Sequence, residues 1–310
     1  MKRLLSISAL LIAGLALLLS LTSAKGKKPT LFLVGDSTMA DKTELDISPE
    51  VGWGQVFPTF LTDKIDVQNH AMNGRSTKSF RTEGRWQVVL DRIAKGDIVI
   101  VEFGHNDQKI TDSVRYASIP DYMQNLRNMV TEARAKGATV IIATPISRRH
   151  FDSKTGELIP KHTSYPYAAR MVAKEMNAPL LDLEELTTEW LITIGDEESK
   201  KYFMNVAPGE CKKFPDGKID NTHLRENGAL IVGQMAAKAI VNQKIQPLCK
   251  YINITSLHGF ADRPSLSREN LSQPFSTLPN LTPKYTTFCR PSFRSDKTVK
   301  VESDLKTDIK

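Results

Sequence analysis

Four short blocks of this sequence hold the residue types that acyl transfer requires: Gly35-Asp36-Ser37-Thr38, Asn73-Gly74-Arg75-Ser76, Gly104-His105-Asn106-Asp107 and Asp220-Asn221-Thr222-His223. A serine hydroxyl such as that of Ser37 is a weak nucleophile until a neighbouring base takes its proton. His223 is suited to that work, because an unperturbed imidazole is available as a neutral base near pH 7. Asp220, on the same turn, can accept a hydrogen bond from the other ring nitrogen, selecting the tautomer and stabilising the imidazolium. The oxyanion of a tetrahedral intermediate then needs donors aimed at it. The backbone N–H groups of Ser37 and Gly74 and the side-chain amide of Asn106 are the candidates. Gly74 lacks a Cβ and so permits close backbone approach. Asp36 reads as a structural cap of its turn, and His105 as a residue that orients the loop holding Asn106.

The elements that would position these blocks are visible in the apolar pattern. Leu31–Val34, Ile98–Val101 and Thr139–Ile142 are short continuous apolar runs, with weaker ones at Ile65–Gln68 and Pro179–Leu183. Runs of this kind are strands covered on both faces, as in a parallel sheet. Helix-period segments lie between them. One spans Asp121–Lys136, with apolar residues at Met123, Leu126, Met129, Val130 and Ala133 and Gly137 beyond its end; a last helix spans Arg225–Val241. Alternating strands and helices predict one doubly wound α/β domain. In such sheets the site forms outside the carboxyl ends of the strands, and the first three blocks fall at strand ends while the fourth precedes the last helix.

Taken together, the four blocks resemble the SGNH (GDSL-like) hydrolase superfamily over about residues 29–245. Gly52-Trp53-Gly54-Gln55, Asn73-Gly74-Arg75-Ser76 and Thr144-Pro145-Ile146-Ser147-Arg148-Arg149 resemble its rhamnogalacturonan acetylesterase branch. The resemblance implies a flavodoxin-like three-layer α/β/α sandwich with a five-stranded parallel sheet. It implies Ser37, Gly74, Asn106 and His223 as the name-giving residues, Asp220 as third member of the triad, and no cofactor or metal. The implied activity is a serine esterase removing O-acetyl groups from a polysaccharide, with pectic rhamnogalacturonan the substrate of that branch; another acyl ester would use the same machinery.

Two further classes compete. Gly-Asp followed by Gly-His-Asn-Asp superficially resembles a metallophosphoesterase, but His and Asn stand in the opposite order and six histidines are few for a metal cluster. An inactive carbohydrate-binding scaffold would not need the complete set of nucleophile, base, orienter and donors. The α/β-hydrolase elbow Gly-x-Ser-x-Gly is excluded, because Met39 occupies its last position. For substrate contacts, Trp53 reads either as a sugar-stacking platform or as a buried aromatic at a helix start. Arg75, Arg148 and Arg149 read either as ligands of a uronate carboxylate or as surface ion pairs.

The ends of the chain differ from its middle. Lys2 and Arg3 precede an apolar run from Leu4 to Leu21, and Thr22-Ser23-Ala24 supplies a cleavage site, so residues 1–24 are expected to be a signal peptide. An uncleaved anchor helix is the alternative. The expected product is secreted or periplasmic, with no stable membrane span. The esterase domain is expected over residues 25–250, and residues 251–310 as a Ser/Thr/Pro-rich disordered tail, dispensable for catalysis, with glycosylation-type sequons at Asn253, Asn270 and Asn280. Three cysteines, Cys211, Cys249 and Cys289, are too few for a disulfide framework, although one bridge is open to them. The net charge of +7 comes without a dense Lys/Arg stripe, so no nucleic-acid partner is expected.

Overall fold

The computed structural model describes residues 27–162 and 164–257. The proposed signal segment, Asn270, Asn280, Cys289 and the remainder of the tail lie outside them. Strands β1 (Thr30–Gly35), β2 (Asp66–Asn69), β3 (Ile98–Glu102), β4 (Thr139–Ala143) and β5 (Leu180–Leu181) form one parallel sheet in the order 2-1-3-4-5. The helices are α1 (Trp53–Val56), α2 (Thr77–Thr82), α3 (Arg85–Leu90), α4 (Ile119–Ala135), α5 (Tyr165–Glu175), α6 (Leu183–Ser199) and α7 (Glu226–Asn242). No helix among the described residues is long and apolar enough to cross a membrane.

Side-chain alternation along the strands builds two cores. Leu31, Leu33, Ile98, Ile100, Ile141 and Leu181 face the layer of α1, α6 and α7. Phe32, Val34, Val99, Val101, Val140 and Ile142 face α2 to α5. Burial on both faces is why these strands read as unbroken apolar runs, and the result is the expected three-layer sandwich. The strand at Pro179–Leu183 shortens to two residues because Asp182 turns out of the sheet and its carboxylate caps α6 at the Glu185 N–H. The helix expected from Asp121 starts at Ile119, since the Ser118 hydroxyl caps it by accepting from the Asp121 N–H.

The expected domain boundary at residue 250 is corrected by the packing. Ile252 and Leu257 are buried in the first core. The Tyr251 carbonyl accepts from Thr62 N, Asn253 N donates to the Phe60 carbonyl, and Gln234 Nε2 donates to the Leu257 carbonyl. The folded domain therefore extends at least to Leu257. Two apolar anchors in a Ser/Thr-rich stretch of 3₁₀ turns have no period to betray them. Cys211 and Cys249 are free thiols.

Candidate active site

The chain passes from β1 to β2 on one side and to β3 on the other, so β1 lies at the point where strand order reverses, where open α/β sheets place their ligands. Gly35 and Glu102 are register partners at the ends of β1 and β3, so the segments carrying Ser37 and Asn106 leave the sheet side by side. The loop after β2 is tied to the same edge by the Met72 N–H, which donates to the Gly35 carbonyl at 3.0 Å. Three adjacent strands thus bring Gly74, Ser37 and Asn106 together. The fourth block arrives from the opposite end of the chain, just ahead of α7.

Its geometry is that of a proton-transfer chain. His223 Nδ1 lies 2.7 Å from Asp220 Oδ2, and His223 Nε2 lies 2.9 Å from Ser37 Oγ. A neutral ring with its proton on Nδ1 donates to Asp220 and accepts from the serine hydroxyl. Asp220 is fixed in turn: its Oδ1 accepts from the backbone N–H groups of Thr222 and His223, and Oδ2 also pairs with Lys218 Nζ at 2.8 Å. Burial pulls the Asp220 carboxyl upward, but the hydrogen bond and charge of His223, aided by Lys218, hold it well below the usual carboxylate range. Asp220 is therefore a permanent anion that can stabilise an imidazolium.

Around the serine, the N–H groups of Ser37 and Gly74 make no internal hydrogen bond among the described residues. Asn106, buried, donates one Nδ2 proton to the Arg75 carbonyl at 3.0 Å, which fixes the amide and leaves its second proton for another acceptor. Gly74 adopts φ +77°, a conformation that L side chains rarely take, and a Cβ there would meet nothing closer than Arg115 Nη1 at 3.7 Å. The backbone conformation, rather than close approach, is what requires glycine. His105 stacks edge-on against His162 and accepts from Arg148 Nε at 3.4 Å.

Beneath the serine lies a buried scaffold that residue types alone did not reveal. Asp36 Oδ1 accepts from both the N–H and the hydroxyl of Thr38, the structural cap expected of it. Thr38 Oγ1 also lies 3.3 Å from Glu102 Oε1, which accepts from Ile146 N, while Oε2 accepts from Trp53 Nε1 at 2.7 Å. Burial, reinforced by the charge of Asp36, pushes the Glu102 carboxyl up to about 8. Asp107 is raised to about 7, chiefly by burial, while it accepts from the Thr77 N–H and hydroxyl and so anchors the start of α2. Lys42, equally unforeseen, reaches the Ser37 carbonyl at 2.7 Å, Asn73 Oδ1 at 2.6 Å and Glu50 at 2.9 Å, tying the first two blocks together. A charged residue closing the run Ile98-Val99-Ile100-Val101 was the available signal for Glu102; Lys42 had none.

Two expected substrate contacts are corrected. Trp53 is fully buried, its N–H groups donating to the Thr38 carbonyl and Glu102, so it cannot stack on a sugar. Gly52 beside it has no room for a side chain, because a Cβ would stand 2.1 Å from the Ala40 carbonyl. The Gly-Trp-Gly segment is thus a buttress of the nucleophile turn. Arg149 is also buried, bonded to Ser199, Asp196 and Asn221 Oδ1, and it secures the loop that carries Asp220 and His223. Arg75 pairs with Glu83 at 3.0 Å. Of the three arginines, Arg148 alone lacks a carboxylate partner among the described residues.

The chain is similar to known proteins in sequence and fold. Residues 33–228 match the GDSL-like lipase/acylhydrolase family. The chain is 40% identical over 215 residues to the rhamnogalacturonan acetylesterase RhgT of Bacillus subtilis (strain 168), covering 69% of this chain and 90% of that one. It is 34% identical over 211 residues to the probable rhamnogalacturonan acetylesterase YesY of the same organism, covering 68% and 91%. The crystal structure of the Bacillus subtilis protein YxiM superposes with a TM-score of 0.61 at 26% identity, over 71% of this chain and 58% of that one. With the sheet order, the match over most of the folded domain and these relatives in hand, the chain belongs to the GDSL-like lipase/acylhydrolase family, a family of carboxylic ester hydrolases.

Proposed function

We propose that this protein is an exported carbohydrate O-acetylesterase working through Ser37, His223 and Asp220, with acetylated rhamnogalacturonan as its substrate. The hydrogen-bonded series Asp220–His223–Ser37 at the carboxyl edge of the sheet carries this reading. The relatives RhgT and YesY, named for rhamnogalacturonan deacetylation and nearly spanned by this chain, support the substrate. Ser37 Oγ attacks the acetyl carbonyl carbon while its proton passes to His223 Nε2. The oxyanion takes hydrogen bonds from Ser37 N, Gly74 N and Asn106 Nδ2. Collapse breaks the bond to the sugar oxygen, which leaves with the proton from His223. Water then attacks the acetyl-serine, giving one proton to the same nitrogen. Collapse breaks the bond to Ser37 Oγ, which takes that proton back, and acetic acid departs and ionises to acetate in water.

Acetate release from acetylated rhamnogalacturonan, measured beside acetylated xylan and an aryl acetate, tests this reading. Preferential release from the pectic polymer by wild type, and its loss in Ser37→Ala, are the expected results. Release from the aryl ester alone would contradict the glycan substrate, and full activity in Ser37→Ala would contradict the mechanism. Export is tested by the N-terminus of the mature protein, expected at Lys25; an intact Met1 would contradict it.

A further inference from the structure

Three cationic side chains converge on the loops that hold the oxyanion donors. Lys109 follows Asn106 on the same turn, its N–H donating to the Asn106 carbonyl at 3.2 Å. Arg115 lies over Gly74, its Nη1 3.7 Å from where a Cβ would stand. Arg148 rests on His105, bonding its carbonyl at 3.2 Å. The three interact electrostatically: burial lowers the Lys109 ammonium, and the charges of Arg115 and Arg148 add to that effect. Arg148 in turn feels the charges of Asp36 and Asp220, on either side of the Ser37–His223 pair.

Only Arg115 is neutralised by an ion pair, with Asp112 at 3.0 Å. Lys109 makes no side-chain hydrogen bond or ion pair among the described residues, and Arg148 bonds only to His105. Lys109 feels the opposite charges of Asp112 and Asp36, and Arg148 those of Asp36 and Asp220, but neither is in a direct ion pair. Three neighbouring cations repel one another, an arrangement that a bound anion relieves. The guanidinium fork is matched to a carboxylate. In sequence between Lys109 and Arg115, Ile110 and Val114 are 73% and 61% exposed, apolar surface of the kind that covers the face of a pyranose ring.

We infer that Lys109, Arg115 and Arg148 form a carboxylate-binding rim that holds a uronate unit of the glycan next to the esterified sugar, selecting anionic over neutral chains. This rests on the esterase reading for its place in the reaction, but its binding can be measured without turnover. The experiment is titration calorimetry of the full chain with tetragalacturonate and with xylotetraose, neither of which carries an ester. Wild type is expected to bind tetragalacturonate more tightly and to lose that preference as salt rises from about 20 to about 200 mM. Lys109→Gln, Arg115→Gln and Arg148→Gln are each expected to reduce the preference roughly three- to tenfold. Equal affinity of wild type for the two oligosaccharides, or a preference that survives removal of all three charges, would overturn the assignment. The wild-type salt dependence needs no variant to fold. An enzyme that released no acetate from any glycan would defeat the esterase reading while leaving this readout intact.

Discussion

Glu102 ties the nucleophile turn to the rest of the sheet edge, and its protonation should be written into the stability of the whole domain. The carboxyl is fully buried and accepts from Trp53 Nε1 and Ile146 N, with the Thr38 hydroxyl 3.3 Å away. Burial raises it from 4.5 to about 8, so the folded protein holds this proton through a range in which the unfolded chain has released it. Stability from such a group is complete below pH 4.5 and is lost as pH rises through about 8. At about 1.4 kcal/mol per pH unit, an interval of this kind corresponds to several kcal/mol, shared with the buried Asp36 carboxyl, whose charge adds to the Glu102 shift. Glu102→Gln copies the shape of the protonated acid. Its carbonyl can keep the Trp53 bond and its amide can donate to Thr38, at the loss of the Ile146 bond, about 1 kcal/mol. Denaturant unfolding of both proteins between pH 5 and pH 8.5 gives the comparison. Asp107, raised to about 7, titrates in the same window in both proteins and cancels in the difference. Asp220, held low, loses its contribution only as pH falls below its ordinary value of 3.8 and stays out of the window. Wild type should begin slightly more stable and end markedly less stable than the variant. Parallel pH profiles would refute the buried neutral carboxyl.

Three further outcomes follow from the site and its supports. Asn106→Ala should lower kcat by roughly a hundred- to a thousandfold with little change in KM, because the donor serves charge that develops only in the transition state; a lowered melting temperature with the rate per folded molecule preserved would reduce Asn106 to a turn residue. Ending the chain after Tyr251 should destabilise the domain by about 3–5 kcal/mol, since Ile252 and Leu257 leave the core; unfolding unchanged from the full chain would contradict their packing. Arg149→Lys keeps the charge but loses the fork that holds Asn221 and Asp196, and should slow turnover by roughly tenfold without altering preference between anionic and neutral glycans; a change confined to that preference would return Arg149 to the substrate.

What could be read beforehand, and what could not, divides along the physics of each residue. Leu31–Val34, Ile98–Val101 and Thr139–Ile142 announce their strands because both sheet faces are covered. The ends of the first two locate two of the four blocks, while the Asn73 block follows the weaker run that becomes β2. Trp53 and Arg149 belong to types that serve ligands and interiors equally well, and only direction separates the two uses. Both point inward, where they hold the nucleophile turn and the His223 loop. Lys42 and Glu102 work through contacts 31 and 49 residues away in sequence, to Asn73 and Trp53, a pairing that no local pattern encodes. The final anchors Ile252, between two 3₁₀ turns, and Leu257, at the end of the second, lie in elements too short to set up a period.

That Ser37 is the nucleophile is tested most directly by covalent capture. A serine-directed phosphonate ester, followed by intact-mass measurement and peptide mapping, should add one phosphonyl group to wild type, located on Ser37, in step with the loss of esterase activity. Ser37→Ala should remain unlabelled and inactive while staying folded. A label on any other residue, or an Ser37→Ala variant that still turns over ester at the wild-type rate, would contradict the assignment.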